Sequence, residues 1–170
     1  MLFNNIFLIG MMGSGKSIVG KLLSKKLNMP LLDIDKEIEK IMEMSISQIF
    51  NDYGEKRFRL IEAAFFRECT KLDYYIFATG GGIILNEQNR SILKSRGITF
   101  FLDCSPEIIN KRLKDKINNR PLLSKSYERD LQSLFDKRYN LYKSNSKYTI
   151  NTDLLSVKDI TQKIKEYLNV

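Results

Sequence analysis

Short apolar runs alternate along the chain with longer segments in which apolar residues recur every three or four positions. The runs predict buried strands, at 5–9, 31–33, 74–78, 98–102 and 148–150. The periodic segments predict helices, at 17–27, 36–44, 47 to about 54, 55–70, 106 onwards, 129–143 and 157–168. Strands that alternate with helices are typical of an α/β fold built on a mostly parallel sheet.

Length and composition place the chain among ordinary globular domains. Its 170 residues contain no internal repeat or low-complexity linker, so we expect a single domain over 1–170. Hydrophobic residues make up 43% and charged residues 28%, values near those of globular proteins that disfavour a disordered or fibrous chain. No apolar run reaches the roughly 18 residues of a membrane-spanning helix, and the first ten residues do not resemble a signal peptide. Cys69 and Cys104 are isolated thiols, so we expect a cytoplasmic protein.

The charge balance narrows the possible partners. There are 28 Lys and Arg residues against 20 Asp and Glu, which gives a net charge of +8. The basic residues are scattered without a run of five, so we expect neither nucleic acid nor a membrane as partner. The positive charge instead suits small anionic substrates. With no histidine and two isolated cysteines, zinc sites and histidine-based catalytic triads are excluded.

The first predicted turn has the strongest chemical signal. Residues 10–17 read G-M-M-G-S-G-K-S and fit the phosphate-binding pattern G-x-x-x-x-G-K-[ST], between a predicted strand and a predicted helix. In such a loop, backbone N–H groups face phosphate oxygens, Lys16 can reach the β- and γ-phosphates, and Ser17 can ligate Mg²⁺. The alternative is a glycine-rich turn with a chance lysine. The chain lacks an N-K-x-D tetrad and is too short for a motor ATPase, which favours a small-molecule kinase.

Charged residues further along suggest how a substrate could be held. Asp33 and Asp35 close the second strand, where one carboxylate could hold Mg²⁺ through water and the other could accept a hydrogen bond from a substrate hydroxyl. The alternative is that one of them only caps the next helix. Glu62 lies three residues after Arg59 and could orient the Arg59 guanidinium towards a substrate carboxylate. The alternative is that the two residues form only a surface ion pair. The polar segment 118–126 predicts a mobile loop.

Together these motifs resemble the shikimate kinase family. The P-loop, D-x-D, Y-G-E-x-x-F-R-x-x-E at 53–62, the triple glycine at 80–82 and R-P-L-L at 120–123 follow the order and spacing of that family. The resemblance implies a P-loop kinase fold with a five-stranded parallel sheet of order 2-3-1-4-5, a substrate-binding helical segment at about 34–61 and a lid at about 113–126. It also implies a monomer that uses one Mg²⁺ per subunit to transfer the γ-phosphoryl group of ATP to the 3-hydroxyl of shikimate, in aromatic amino acid biosynthesis.

The resemblance also implies a role for each matching residue. Asp35 would hold the shikimate hydroxyls and act as base. Ser17 and Asp33 would be the Mg²⁺ ligands, with Asp33 in the outer coordination shell. The shikimate-binding residues would be Asp35, Arg59, Gly81 and Arg138. The ATP-binding residues would be Gly13, Ser14, Gly15, Lys16, Ser17, Ile18, Arg112 and Arg120. Of these, Arg112 would stack on adenine and Arg120 would reach the phosphates from the lid, so that the catalytic residues are Asp35, Lys16 and Arg120.

Two other functions compete with this interpretation. Another P-loop kinase of small metabolites, such as a gluconate kinase, would also use arginines to bind a carboxylate substrate. A non-catalytic regulator or nucleic-acid-binding module that depends on nucleotide is disfavoured, because a protein that only binds needs neither the candidate base Asp35 nor the lid residue Arg120. For Gly80 and Gly82, a plain sharp turn is the simpler alternative to a substrate-binding role.

Overall fold

The described part of the chain contains a five-stranded parallel sheet. This computed structural model describes residues 5–116 and 125–170, and within those ranges it leaves aside the side chains of 114–116 and 125–128. The strand order is β2-β3-β1-β4-β5, which confirms the predicted order. The strands are β1 (Ile6–Ile9), β2 (Leu31–Asp33), β3 (Ile76–Ala78), β4 (Ile98–Asp103) and β5 (Tyr148–Asn151).

Helices cover both faces of this sheet. They are α1 (Lys16–Leu27), α2 (Ile34–Met42), α3 (Ile46–Cys69), α4 (Glu87–Ser95), α5 (Pro106–Lys116), α6 (Lys125–Ser144) and α7 (Val157–Leu168), with a 3₁₀ turn at Ile83–Leu85. None of the helices in the described ranges is long and apolar enough to cross a membrane.

Alternation of side chains along the central strand produces two apolar layers. Phe7 and Ile9 of β1 face a cluster to which α2–α6 contribute, whereas Ile6 and Leu8 face a second cluster formed with α1 and α7. All four side chains are fully buried, as expected for the central strand of a parallel sheet that is covered on both sides.

Several element boundaries differ from the predicted ones. Helix α2 begins at Ile34, two residues before the predicted start, because Asp33 caps it. The predicted break near residue 54 is confirmed, because α3 consists of two helical segments joined at Gly54, whose φ of 76° and ψ of 162° are not helical. Strand β3 begins at Ile76, since Tyr74 has a positive φ of 64° that a strand does not accommodate. Helix α4 was not predicted.

The predicted loop at 118–126 needs one correction. Helix α6 begins at Lys125, so the last two residues of that segment are helical. Helix α5 ends at Lys116, so it includes residues 113–116 of the predicted lid. The remainder of the lid, including Arg120, lies outside the described residues.

The topology brings the predicted motifs to one edge of the sheet. β1, β2 and β3 are neighbours and run parallel, so their carboxyl ends lie side by side. β1 leads into the P-loop, β2 ends at Asp33, and β3 leads into the triple glycine at 80–82. The carboxyl edge of a parallel sheet is where ligands bind in folds of this type.

Candidate active site

The P-loop connects β1 to α1 with a backbone that glycine makes possible. Gly10, Gly13 and Gly15 all have positive φ, between 76° and 144°. A Cβ at Gly10 would also stand 2.6 Å from the carbonyl oxygen of Leu102 on β4. Gly15 is the N-cap residue of α1, so the positive end of the helix dipole opens at the loop. The loop therefore has the geometry of an anion-binding helix N-terminus.

Lys16 is folded back into the loop that precedes it. Its side chain is buried, and Nζ donates hydrogen bonds to the carbonyl oxygens of Gly10 and Met11, both at 2.8 Å. Burial lowers the pKa of Lys16 to about 8, against the opposing attraction of Asp35 and Asp33. The ammonium group is thus held by the backbone of the loop and attracted by two carboxylates, at the wall of a cleft.

A cleft of about 410 Å³ opens beside the loop. It brings together most of the residues predicted to bind nucleotide and metal, and some of those predicted to bind the substrate. Its lining includes Gly13, Gly15, Lys16, Ser17, Ile18, Asp33, Asp35, Thr79 and Gly81. Ser14 is buried beneath this surface, and Ile18 is 55% exposed at its rim.

The two aspartates after β2 have different environments. Asp33 caps α2, with Oδ1 accepting a long hydrogen bond of 3.5 Å from the backbone N–H of Lys36. Its Oδ2 is nevertheless buried and has no hydrogen-bond partner in the described ranges. Asp35 lies in the first turn of α2, where burial raises its pKa and the nearby Lys16 lowers it.

Arg59 is held from three directions. Its Nη1 donates to Glu62 Oε2 at 2.8 Å, while Nε and Nη2 donate to Glu55 Oε1 at 3.2 and 3.0 Å. The guanidinium also lies over the rings of Phe58 and Phe50, at 5.1 and 5.7 Å from their centroids. Glu62 is only 1% exposed, so the alternative of a solvated surface ion pair is wrong. Neither Glu55 nor Phe50 has a predicted role in this clamp, although Glu55 belongs to the Y-G-E motif and lies four residues from Arg59.

Burial of Glu62 leaves one of its oxygens free. Oε2 accepts from Arg59, but Oε1 has no hydrogen-bond partner among the residues that the structure describes. Burial raises the pKa of Glu62, and Arg59 lowers it. The free oxygen faces the triple glycine, because a Cβ at Gly80 would lie 2.6 Å from it and 2.7 Å from Asp35 Oδ1.

The triple glycine is the point where these groups converge. A Cβ at Gly82 would overlap the Arg59 guanidinium, and the carbonyl of Gly81 faces the buried Arg138, whose Nη1 is 3.4 Å away. Charged side chains thus crowd both Gly80 and Gly82, and a side chain at either position would displace one of them. The structure thus brings the predicted substrate residues Asp35, Arg59, Gly81 and Arg138 to one turn beside the cleft.

Arg112 lies apart from these residues. Its Nη2 donates to the carbonyl of Thr152 at 2.6 Å, and Nη1 lies 3.2 Å from the sulfur of Cys104. It does not line the cleft, although its helix α5 packs on the P-loop through Ile109 and Leu113, which a Cβ at Gly13 would meet. The assignment of Arg112 to adenine stays a prediction, as does that of Arg120.

Comparison with known proteins agrees with this geometry. A family model described as shikimate kinase matches residues 12–169. The chain belongs to the shikimate kinase family. The shikimate kinase of Caldicellulosiruptor saccharolyticus is 43% identical over 161 residues, which are 94% of this chain and 92% of that relative. The shikimate kinase of Thermodesulfovibrio yellowstonii is 42% identical over 165 residues, 96% of this chain and 94% of its own.

Solved structures of the shikimate kinase family have the same fold. The structure of the Acinetobacter baumannii enzyme in complex with shikimate superposes with a TM-score of 0.90 at 36% identity, over 99% of this chain and 94% of that one. The Aquifex aeolicus shikimate kinase gives a TM-score of 0.83 at 36% identity, over 97% and 96%. A deoxyadenosine kinase from M. mycoides, at 20% identity and a TM-score of 0.65, shares the fold alone. As a member of the shikimate kinase family, the protein is an ATP-dependent kinase.

Proposed function

We propose that this protein transfers the γ-phosphoryl group of ATP to the 3-hydroxyl of shikimate, giving ADP and 3-phosphoshikimate. One observation carries the proposal beyond the family assignment. A base candidate, Asp35, and an oriented cation, Arg59, meet at the glycine turn 80–82, and this turn forms part of the wall of the P-loop cleft. An acceptor for a hydroxyl proton and a clamp for a carboxylate therefore lie beside a phosphate-binding loop.

The substrate side of the site suits a small hydroxylated carboxylate. Arg59 is fixed by Glu62 and Glu55, and a guanidinium held in one orientation can grip a carboxylate through two parallel hydrogen bonds. Arg138 supplies a second buried cation near Gly81. Asp35 would accept the hydrogen bond of the reacting hydroxyl. Because burial raises its pKa, this carboxylate is a stronger base than an exposed aspartate.

The phosphate side of the site relies on positioning and charge. Phosphoryl transfer asks little covalent chemistry of a protein, so catalysis comes mainly from alignment and from stabilising the charge on the transferred group. Lys16 would exchange its two backbone acceptors for phosphate oxygens, and the N-terminus of α1 would face the same anion. Arg120, in the lid proposed at about 113–126, would add a second cation at the phosphates and help to exclude water.

The residues in the cleft fit a hard divalent cation such as Mg²⁺. Ser17 and Asp33 both line it, and Asp33 has a buried carboxylate oxygen without a protein partner in the described ranges. Those same ranges hold no group of three or more acidic, cysteine or histidine side chains that could bind a metal alone, so nucleotide and water would complete the ligands. When bound, Mg²⁺ would neutralise charge on the β- and γ-phosphates. We propose one such ion per subunit.

A substrate panel tests the proposed reaction. ADP release is followed in a coupled assay with ATP and Mg²⁺, using shikimate, gluconate and nucleoside monophosphates in turn. We expect turnover with shikimate and rates near background with the other acceptors, and removal of Mg²⁺ by EDTA should abolish turnover. Preference for gluconate would show that the carboxylate clamp has been assigned to the wrong substrate.

We also propose that the enzyme is a cytoplasmic monomer without a nucleic-acid or membrane partner. Both cysteines are free thiols, which suits a reducing compartment. Light scattering after gel filtration should give a mass near 19.8 kDa. Salt-dependent retention on DNA by a protein without kinase activity would instead support the nucleic-acid-binding alternative.

A further inference from the structure

The hydroxyl group of Tyr142 is buried between the glycine turn and the P-loop. Tyr142 lies on α6 and is fully buried, and its hydroxyl donates a short hydrogen bond to the carbonyl of Gly81. The same oxygen is 3.6 Å from the sulfur of Met11 in the P-loop. One hydroxyl therefore touches both the turn proposed to bind shikimate and the loop that binds phosphate.

The hydrogen-bond chemistry of this contact has one favoured arrangement. A phenol has one proton to donate, and a thioether sulfur is only a weak acceptor, so the proton goes to the Gly81 carbonyl rather than to Met11. Burial raises the pKa of Tyr142 to about 12, which keeps the proton in place at any pH at which the enzyme works. The positive charge of Arg138, four residues earlier on α6, opposes this rise in pKa, and its Nη1 lies 3.4 Å from the same carbonyl.

Gly81 is also packed directly against the P-loop. A Cβ at this position would be 3.4 Å from the backbone nitrogen of Met12, 3.6 Å from the carbonyl of Gly10 and 3.7 Å from the Tyr142 hydroxyl. A shift of the Gly81 peptide would therefore move the wall of the cleft and release Arg138 from its present neighbour.

The packing of Tyr142 in the core requires its ring but not its hydroxyl. The ring stacks on Phe101 of β4 with centroids 5.0 Å apart and an interplanar angle of 19°. Phenylalanine would fill this space equally well and would need no buried hydrogen-bond partner. The presence of a hydroxyl in the apolar layer is thus explained by what it bonds to and not by core packing.

We propose that Tyr142 is a positioning residue for the phosphoryl acceptor: its hydroxyl holds the Gly81 carbonyl and thereby sets both the glycine turn and Arg138 in the geometry that binds the substrate carboxylate. This inference rests on the proposed function, because it takes Gly81 and Arg138 as substrate contacts. Tyr142 itself touches neither reacting group. Its loss should therefore weaken the binding of shikimate while leaving nucleotide binding to the P-loop nearly unchanged.

Two tyrosine-to-phenylalanine variants on the same helix separate this role from packing. The Tyr139 ring also contacts Phe101, with centroids 5.8 Å apart, but its hydroxyl donates to Asp103 Oδ2 at 3.5 Å and not to Gly81. We expect Tyr142→Phe to raise the KM and Kd for shikimate about three- to tenfold, the effect of removing the shorter of the two hydrogen bonds that the buried Gly81 carbonyl accepts. The Kd for ADP should stay within about twofold, and Tyr139→Phe should change neither ligand constant by more than that.

The measurements are titration calorimetry for both ligands, steady-state kinetics with each substrate varied, and a thermal melt to confirm folding. Shikimate constants in Tyr142→Phe that match those of Tyr139→Phe would overturn the inference. Equal weakening of shikimate and ADP, or a chain that does not fold, would also overturn it, because either result assigns the hydroxyl a general structural role. Absence of shikimate-dependent turnover in the unmodified enzyme would instead refute the proposed function, and the inference with it.

Discussion

Placing alanine at each position of the glycine turn tests which charged groups the turn accommodates. A Cβ at Gly80 would stand 2.6 Å from Glu62 Oε1 and 2.7 Å from Asp35 Oδ1, so these oxygens must move by about 0.7–0.8 Å to reach ordinary contact at 3.4 Å. Glu62 is 1% exposed and has little room, so most of the movement falls on Asp35, which borders the cleft. Since a misplacement of about 1 Å can lower a rate by about a hundredfold, we expect Gly80→Ala to lower kcat by about ten- to a hundredfold.

The two neighbouring glycines provide matched controls. A Cβ at Gly82 would displace the guanidinium of Arg59, the far end of a flexible side chain, so we expect Gly82→Ala to raise the KM for shikimate by about tenfold with a smaller change in kcat. A Cβ at Gly81 would meet its nearest neighbour, the backbone nitrogen of Met12, at 3.4 Å. Gly81→Ala should therefore be the mildest of the three, changing either constant by less than about fivefold.

Steady-state kinetics with shikimate and ATP varied separately, together with a thermal melt of each variant, decide the outcome. The decisive quantity is the pattern across the three variants: a lower kcat at position 80, a higher KM for shikimate at 82 and little change at 81. Equal losses at all three positions, or the largest loss at 81, would show that the turn acts only as a backbone bend and that the crowding around it has no part in the reaction.

Three further predictions concern the charged residues. Lys16→Ala should be folded and almost without turnover, and a kcat near that of the unmodified enzyme would remove the P-loop from the mechanism. Asp35→Asn should lower kcat and weaken shikimate binding, whereas Asp33→Asn should raise the Mg²⁺ concentration needed for half-maximal activity. Identical defects in the two variants, unaffected by added Mg²⁺, would contradict this division of roles between the two aspartates. Arg120→Ala should lower kcat far more than it raises the KM for shikimate, and an unchanged kcat would transfer the phosphate-clamping role to another basic residue.

The parts of the fold that sequence predicted well are those specified by local pattern. The apolar run of β1, the P-loop glycines and the start of α5 at Pro106 each follow from a few adjacent residues. Helix α4 was missed although Asn86 caps it by accepting a hydrogen bond from the backbone of Asn89, because its nine residues include few apolar ones. The error at the start of α2 has a different origin, since a helix capped by Asp33 and a strand that ends at Asp33 look alike in sequence.

The parts of the site that sequence could not predict depend on contacts between distant segments. The spacing of Arg59 and Glu62 predicts an ion pair, but not that Glu62 is buried with one oxygen directed at Gly80. The glycine turn is recognisable as a turn, yet its crowding against Asp35 arises only when β2 and β3 lie side by side. Tyr142 gives no local signal at all, because its partner Gly81 is 61 residues away in the chain.

The environment of Lys16 shows why the P-loop is better suited to binding than to stability. Lowering its pKa from 10.5 to about 8 corresponds to a penalty of about 3 kcal/mol for keeping the ammonium charged at neutral pH in the free enzyme. The two carbonyl oxygens that accept from Nζ have only partial charges and compensate incompletely. A bound phosphate would supply a full negative charge at the same place and raise the pKa of Lys16 again, so that part of the penalty is recovered as nucleotide affinity. A loop optimised for the stability of the free protein would have no reason to bury this charge.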